Sequence, residues 1–377
     1  MKSYNHLYEQ FISDENYYLA VRNATKSKGK KKNSKRRKLA KYYREHPDKM
    51  KDSILYYAEH YHSASHKAIT IYDGIRRKQR NIIVPTVREQ IVHHMIVNVM
   101  KPIFMKGMSE ACCGSVPGRG AHYGKRMIEK WIRKDPKGVK YCLKMDISKY
   151  FESVPRKILK EKCARVIHDD RFLQVLYAVI DMDDSESGIP IGFYTSQWFA
   201  NWFLNELDHY IKEELHAPHY ARYVDDMVIF GPSKRKLHTM RRDIGNFLNS
   251  WLGIEMKMNY QVFRFSFIGR DGKETGRDLD FMGFRFMRNR TIIRKSIFIR
   301  MTRKARRLAK KAAKTIYECR QMLSYLGWID HTDTYGAYLK HIKPFISFRY
   351  LKQRISRWQK QMNQKEALAY VNLVSCG

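Results

Sequence analysis

Apolar positions recur with two different periods along the chain, which predicts a mixture of helices and strands. Runs with helical spacing predict helices over residues 5–23, 86–106, 155–181, 235–252 and from 300 onward. Short β-branched and aromatic runs predict a strand from Val139 to Met145 and short strands within 278–299, joined at Arg288-Asn289-Arg290. This order of elements predicts an α+β layer followed by a separate helical domain from about residue 295.

Two segments have the pattern of β-hairpins. In residues 67–85 (KAITIYDGIRRKQRNIIVP), Asp73-Gly74 is a turn signal between two β-branched runs. Residues 222–230 (RYVDDMVIF) place Asp225 and Asp226 at the tip of a second hairpin. Adjacent carboxylates repel each other and are costly to desolvate, so the pair indicates either a solvated turn or a bound divalent metal.

Two loops precede helices. Residues 114–134 (GSVPGRGAHYGKRMIEKWIRK) form a Gly-rich loop that runs into an amphipathic helix with a basic face. Such a loop can bind phosphate, but Gly-rich turns are common and do not by themselves assign a site. Residues 188–215 likewise begin as a loop and continue as a long helix.

The composition predicts a hydrophobic core and a polyanionic partner. Of the 377 residues, 44% are hydrophobic, enough for a sizeable core. Lys and Arg number 73 against 37 Asp and Glu, a net charge of +36, which predicts nucleic acid as the partner and salt-dependent binding. We interpret the basic run at 26–44 as a contact for an RNA or DNA backbone, the alternatives being a solvated segment or a localisation signal.

The sequence gives little indication of membrane-spanning segments or of disulfide bonds. No apolar run approaches 18 residues and no signal-peptide pattern is present, so we expect a soluble, cytoplasmic protein without a membrane partner. The six cysteines include no CxxC pair, which predicts free thiols.

Three aspartates have the spacing of a polymerase site. Asp146 ends a predicted strand about 80 residues before Asp225 and Asp226 on the hairpin. Joining a 3′-hydroxyl to a nucleoside triphosphate requires charge stabilisation that two Mg²⁺ ions can supply, and Mg²⁺ prefers carboxylate oxygens. We therefore expect two Mg²⁺ ions, with Mn²⁺ as a possible substitute.

The surrounding motifs resemble those of the reverse transcriptase family. YVDD at 223–226 matches its Tyr-x-Asp-Asp signature, and KMDISKYFESV at 144–154 matches its first catalytic strand. The other similar blocks are IPIGFYTSQWFAN, LDFMGFRF, REQIVHHMIVNVMKPIF and the GRGAH loop. Together the ordered blocks cover about residues 67–290.

The resemblance implies an RNA-directed DNA polymerase with a right-hand fold of fingers, palm and helical thumb. The implied divisions are a basic N-terminal helical region at 1–66, fingers at 67–134, palm at 135–294 and thumb at 295–377. The implied partners are template RNA, an RNA–DNA duplex tracked by the basic helices of 300–355, and dNTPs.

The resemblance also implies roles for single residues. Asp146, Asp225 and Asp226 would be catalytic and, with Ile147, would bind the metals. Phe151 would be a steric gate against a ribose 2′-hydroxyl, although an aromatic residue after a strand is often core. The remaining implied positions are Lys78, Arg80 and Arg88 on the triphosphate, Gly192 and Gln197 near the templating pair, and Met282, Gly283 and Phe284 in the primer grip. Alternatives are solvated hairpin charges for Lys78 and Arg80 and a helix cap for Gln197.

The block after the first aspartate bears on the subgroup. Ile191-Gly192 and Ser196-Gln197 are similar to diversity-generating retroelement enzymes, which copy a template RNA with errors and work with a small accessory protein. Phe193-Tyr194 departs from that subgroup. A phage-defence reverse transcriptase with a partner non-coding RNA is the first alternative, and an inactive RNA-binding palm protein is the second. The Lys-Thr of a later palm block is replaced by MNYQVF at 258–263, which leaves Lys257 nearby.

Overall fold

The computed structural model describes residues 3–26, 34–61, 67–73 and 78–375. These residues divide into two compact units, one ending at Arg264 and the other beginning at Phe265. Both contain helices and antiparallel strands, which confirms the predicted α+β class.

The first unit contains a long series of helices around a four-stranded sheet. Its elements are α1 (Leu7–Ile12), α2 (Asp14–Ala24), α3 (Lys35–Glu45), α4 (Pro47–Glu59), β1 (Lys67–Asp73), β2 (Lys78–Val84), α5 (Val87–Lys106), α6 (Ala121–Lys134), β3 (Tyr141–Asp146), α7 (Tyr150–Ser153), α8 (Arg156–Ala164), α9 (Asp170–Ile180), α10 (Tyr194–Phe203), α11 (Asn205–His209) with a π-helical turn at Tyr210–Glu214, β4 (His219–Tyr223), β5 (Asp226–Gly231), α12 (Lys234–Leu252) and β6 (Gln261–Arg264).

The central sheet has the order β4-β5-β3-β6, and all its neighbouring strands are antiparallel. The apolar residues of β5 are buried, because α12 packs against β3, β5 and β6. Strands β3 and β5 are therefore inner strands whose ends cannot shift in register without exposing core side chains.

Capping residues divide two of the predicted helices. The pattern at 5–23 is broken at Ser13, whose side chain accepts a hydrogen bond from the Asn16 amide and so starts α2. The pattern at 155–181 is broken before Asp169, which caps α9 in the same way. In contrast, 86–106 is one helix, started by a capping box between Thr86 and Glu89.

The hairpin predicted at 67–85 forms from β1 and β2, in register from Lys67 opposite Val84 to Asp73 opposite Lys78. Its predicted turn at Asp73-Gly74 extends outside the described residues. Of the basic run at 26–44, residues 27–33 also lie outside them, whereas 35–44 belong to helix α3, which is capped by Ser34.

The second unit has its own core. Its elements are β7 (Phe267–Ile268), β8 (Glu274–Thr275), β9 (Leu279–Phe281), β10 (Phe284–Phe286), β11 (Thr291–Ile293), α13 (Lys295–Ala309), α14 (Ile316–Leu323), α15 (Leu326–Asp330), α16 (Tyr335–His341) and α17 (Phe348–Ser375).

The strand prediction for 278–299 is wrong at its end, since 295–299 begin α13. Ile297, Met301, Ala305 and Leu308 are buried at helical spacing, and this packing determines the conformation.

The five cysteines among the described residues are free thiols, as expected. In the described part of the chain, no helix is both long enough and apolar enough to cross a membrane.

Candidate active site

The three aspartates lie at one end of the central sheet. Asp146 is the last residue of β3 and is the register partner of Asp226, the first residue of β5. Register partners on antiparallel strands have Cβ atoms about 4.5–5.5 Å apart. Asp225 lies in the turn that joins β4 to β5. The fold thus brings together the carboxylates that the sequence singled out.

The turn that carries Asp225 has an unusual backbone. It is a two-residue loop, Val224-Asp225, between the paired residues Tyr223 and Asp226. Val224 has φ 59°, and a positive φ at the first loop residue is the geometry of a type II′ turn, in which glycine is preferred. A β-branched residue in this conformation is strained.

The electrostatics of the turn favour a proton or a cation. Burial and the neighbouring charges of Asp146 and Asp226 together raise the pKa of Asp225 to about 6. Each of these causes disfavours the ionised carboxyl, so a positive charge brought into the site would stabilise it.

Lys257 already places one positive charge there. Its ammonium group forms an ion pair with Oδ2 of Asp146, and its backbone N–H donates to the carbonyl of Asp146 at 2.8 Å. The backbone N–H of Ser148 donates to Glu255 O at 2.8 Å, so this segment is fixed alongside the end of β3. The sequence placed Lys257 near the palm block, but only the fold brings it to the first aspartate.

The oxygen atoms at this site are of the kind that bind divalent cations. The second oxygen of Asp146, Oδ1, is buried and receives no hydrogen bond from any described donor. Carboxylate oxygens of this kind are the ligands that Mg²⁺ prefers. The buried side chain of Ile147 is a hydrocarbon without a ligand atom, so only the main-chain carbonyl of this residue could bind a metal. Within the described residues, no three His, Cys, Asp or Glu side chains are arranged as a ready metal-binding cluster.

Phe151 follows Asp146 by five residues and lies in the short helix α7. Its side chain is half-buried against the core, and its carbonyl accepts a hydrogen bond from Ile189 N–H at 2.7 Å. This bond ties α7 to the loop that precedes α10, so Phe151 and the predicted template-side loop are held together.

Gly192 contacts the β1–β2 hairpin. Its neighbour Ile191 accepts a hydrogen bond from Ile83 N–H at 2.8 Å, and a Cβ on Gly192 would lie 2.0 Å from Ile83 O. Arg80 lies three residues before Ile83 on the same strand. The fold therefore brings the hairpin and the Gly192 loop together, as the predicted roles require.

Gln197 lies inside α10, so it is not the cap of that helix. Its Oε1 accepts a hydrogen bond from Ser115 Oγ at 2.9 Å. This contact joins α10 to the Gly-rich loop at 114–120.

The other predicted nucleotide contacts are less defined. Arg88 lies in the first turn of α5, and its guanidinium is 5.0 Å from the ring centroid of Tyr57. Lys78 begins β2, and its side chain lies outside what the structure describes.

The predicted primer grip belongs to the second unit. Met282 and Gly283 form a two-residue loop between β9 and β10, with φ 51° and 88°, and Phe284 begins β10. A Cβ on Gly283 would lie 2.6 Å from the Trp328 ring, so only glycine fits this position without a shift.

Comparison with known proteins decides the family. A family model described as reverse transcriptase (RNA-dependent DNA polymerase) matches residues 67–286, more than half of the chain. The chain belongs to the reverse transcriptase family. The resemblance found in the motifs is confirmed, and with it the right-hand polymerase fold class and the predicted enzyme class.

This reverse transcriptase has curated relatives in bacteria. Protein YkfC of Escherichia coli K12 is 27% identical over 146 residues, 36% of this chain and 38% of that protein. The retron Ec73 reverse transcriptase of Escherichia coli is 28% identical over 142 residues, 33% of this chain and 43% of that protein. The matches thus span less than half the length of these two relatives.

Solved structures of telomerase are also similar. The apo telomerase of Candida tropicalis matches with a TM-score of 0.46 at 12% identity, covering 68% of this chain and 51% of that one. The telomerase of Candida albicans, in complex with a TWJ fragment of telomeric RNA, matches with a TM-score of 0.45 at 12% identity, covering 78% and 57%.

Sequence reasoning missed one group of residues at this site. Arg222, Asp208 and Asn201 are buried polar residues that form a network directly behind the YVDD turn. The available signal was Arg222 itself, a charged residue within a short strand that is otherwise mostly apolar or aromatic.

Proposed function

We propose that this reverse transcriptase synthesises cDNA from a dedicated RNA template. The observation that carries the proposal is the register of β3 and β5, which sets Asp146 opposite Asp226 beside Asp225 in a chain of this family. The inner position of both strands supports a rigid placement of these carboxylates.

In this proposal Asp146, Asp225 and Asp226 bind divalent cations, with the Ile147 carbonyl beside them. Two Mg²⁺ ions, or Mn²⁺ in their place, would supply positive charge to the attacking and leaving oxygens. The raised pKa of Asp225 and the buried Oδ1 of Asp146 support this assignment, because both groups gain from a nearby cation.

The residues around the aspartates would hold the dNTP. Arg80 on β2 and Arg88 on α5 would contact the triphosphate together with Lys78, since a guanidinium can bind phosphate through two parallel hydrogen bonds.

Phe151 would exclude the ribose 2′-hydroxyl, and Gly192 and Gln197 would lie beside the templating base. Met282, Gly283 and Phe284 would support the primer end. The hydrogen bond between Ile191 and Ile83, and that between Ile189 and Phe151, support a shared nucleotide site.

A primer-extension assay tests the proposal. With poly(rA)/oligo(dT), dTTP and Mg²⁺, we expect extension by the natural chain and none above background by Asp226→Asn, with RNA affinity changed less than about threefold, because the carboxylate acts on metals and not on template binding. Asp184→Asn is the matched control, since Asp184 is exposed. Extension by Asp226→Asn at the natural rate would refute the metal assignment.

The biological role has two candidates. The Ile191-Gly192 form favours a diversity-generating retroelement with a small accessory protein or self-association. A relative named as a retron reverse transcriptase favours the alternative, a phage-defence enzyme that copies a partner non-coding RNA. A cytoplasmic location is part of both proposals.

Sequencing the cDNA and RNA that co-purify with the chain separates the two candidates. A variable product with errors concentrated at template adenines supports the retroelement, and a defined product from one non-coding RNA supports defence. An error rate that stays the same in Ile191→Gln would argue against Ile191 as a cause of low fidelity. RNA that co-purifies without any cDNA would favour an inactive RNA-binding protein.

A further inference from the structure

The strained backbone of the YVDD turn requires interactions that stabilise it. Val224 has φ 59°, although a β-branched residue strongly disfavours the left-handed region. Such strain persists only where the surroundings over-determine the backbone. The groups that contact Val224 are therefore the ones that fix the direction of Asp225 and Asp226.

Arg222 makes one of these contacts. Its side chain is fully buried, and its Nη1 donates a hydrogen bond to the carbonyl oxygen of Val224 at 2.9 Å. This bond spans only two residues and closes across the turn, so it favours the strained backbone over an extended one.

Asp208 holds the guanidinium in place. Nε of Arg222 donates to Oδ1 of Asp208 at 2.7 Å, and Nη2 donates to Oδ2 at 2.6 Å. Both side chains are fully buried. Burial lowers the pKa of Arg222, but the charge and hydrogen bonds of Asp208, together with the nearby Cys112 and Tyr220, outweigh burial and raise this pKa well above its usual value. The guanidinium therefore stays charged and fixed in orientation.

Asn201 links the same guanidinium to the opposite side of the turn. Its Oδ1 accepts from Nη1 of Arg222 at 3.3 Å, and its Nδ2 donates to Gly114 O at 2.7 Å. A Cβ added to Gly114 would lie 2.9 Å from the Val224 backbone nitrogen. Val224 is thus enclosed between Gly114 and the Arg222 guanidinium.

Only arginine suits this position. Its planar fork offers separate donors to Asp208 and to Val224 O at the same time, whereas a lysine ammonium is a single point of charge. A purely structural ion pair would need only the two bonds to Asp208. The bond to Val224 O is what connects the pair to the active-site turn.

We propose that Arg222 is a positioning residue for catalysis, which acts by holding Val224 in the left-handed conformation that aims Asp225 and Asp226. The proposal rests on the proposed polymerase function. Arg222 is buried away from solvent, so it acts through the turn and not on the substrate.

Four variants test the proposal: Arg222→Lys, Val224→Gly, their combination, and Tyr220→Phe as the control. Glycine adopts positive φ without strain, so it removes the need for the Arg222 bond. Tyr220 also donates to Oδ1 of Asp208, at 2.7 Å, so Tyr220→Phe removes one hydrogen bond from the buried cluster but leaves the bonds from Arg222 to Asp208 and to Val224 O in place.

We expect Arg222→Lys to lower kcat for dTTP addition by roughly 10- to 100-fold with KM changed less than about threefold, since misdirected groups lose rate more than binding. Adding Val224→Gly should restore most of kcat, and Tyr220→Phe should lower thermal stability while leaving kcat near the natural value. An equal loss of kcat with and without Val224→Gly, or an unchanged kcat in Arg222→Lys, would overturn the proposal.

Hydrogen exchange provides a readout that does not need activity. The backbone amides of 223–226 should exchange faster in Arg222→Lys than in the natural chain or in Tyr220→Phe. If the natural chain extends no primer, the polymerase proposal fails while this measurement still decides the role of Arg222 in holding the turn. If Arg222→Lys does not fold, Arg222→Gln/Asp208→Asn replaces it, because the neutral pair leaves no buried charge uncompensated.

Discussion

At the scale of single residues, the site is defined by charges that repel one another. Asp225 lies beside Asp146 and Asp226, and its pKa of about 6 reflects burial first and these neighbours second. Crowded, buried carboxylates of this kind reduce the stability of the fold and are typical of functional sites.

Asp225→Asn should stabilise the metal-free protein at pH 7.5. In the natural chain the folded pKa is raised from 3.8 to about 6, so ionisation of Asp225 reduces folding stability as pH rises between these values. Removing this carboxyl should therefore add roughly 1–3 kcal/mol to the free energy of unfolding above pH 6, with the gain disappearing toward pH 4.

Urea unfolding with EDTA, at pH 7.5 and at pH 4.5, measures this effect. Asp184→Asn serves as the control, because Asp184 is exposed. A lower stability of Asp225→Asn at pH 7.5 would contradict the assigned electrostatics.

Phe151→Ala should reduce discrimination against ribonucleotides. The hydrogen bond from Ile189 N–H fixes the backbone of Phe151, so truncation of its half-buried ring opens space without moving α7. We expect the ratio of kcat/KM for dTTP over UTP to fall at least about tenfold, which corresponds to about 1.4 kcal/mol.

Tyr150→Phe is the comparison variant for this assay. Tyr150 precedes Phe151 in sequence, and the substitution removes a buried hydroxyl that donates to Ala200 O. A gate formed by Phe151 predicts unchanged sugar selectivity in Tyr150→Phe, and equal changes in both variants would argue for a general disturbance of α7.

At the level of elements, a close contact joins the β1–β2 hairpin to the Gly192 loop, and both carry residues of the proposed nucleotide site. Ile83 N–H donates to Ile191 O, and Gly192 lies directly against Ile83 O. The hairpin that carries Arg80 therefore depends on the absence of a side chain at residue 192.

Gly192→Ala should separate these two elements. A Cβ would lie 2.0 Å from a backbone oxygen, and φ at this position is 128°. We expect a loss of at least about 2 kcal/mol in folding stability and a raised KM for dNTP. Thermal unfolding and primer extension measure the two effects.

Gly118→Ala is the matched control. Gly118 also has a positive φ, 74°, but a Cβ there would meet no atom within 4 Å. It should therefore show backbone strain alone, and an equal effect of both variants would contradict the steric explanation.

At the level of the whole molecule, the net charge of +36 favours binding to a polyanion. Helix α3 carries exposed Lys35, Lys38 and Lys41 next to a single acidic residue, Glu45. These charges are suited to backbone phosphates, which hold a strand without reading its sequence.

Replacing Lys35, Lys38 and Lys41 with Gln should weaken RNA binding and flatten its salt dependence. Each lost phosphate contact reduces the slope of log K against log salt by about 0.7 for a single strand. Filter binding from 50 to 300 mM KCl measures the slope, which we expect to fall by up to about 2. An unchanged slope would place RNA away from α3.

Local patterns predicted the family, the grouping of the three aspartates and most of the helices and strands. These follow from local signals: the YVDD block, the end of the strand at Asp146, and apolar spacing. The capping residues Ser13 and Asp169 divided two predicted helices, because a side-chain hydrogen bond to the backbone outweighs apolar spacing at a helix boundary. The fingers, palm and thumb boundaries stay predictions.

Only the tertiary structure decided which residues support the aspartates. Arg222 lies beside the motif, but its partner Asp208 is on α11 and Asn201 is on α10, and Lys257 reaches Asp146 across 111 positions of sequence. No local pattern predicts such pairs, because their members lie on different elements and meet only in the folded chain. A charged group removed from water must find its partner wherever the fold brings one.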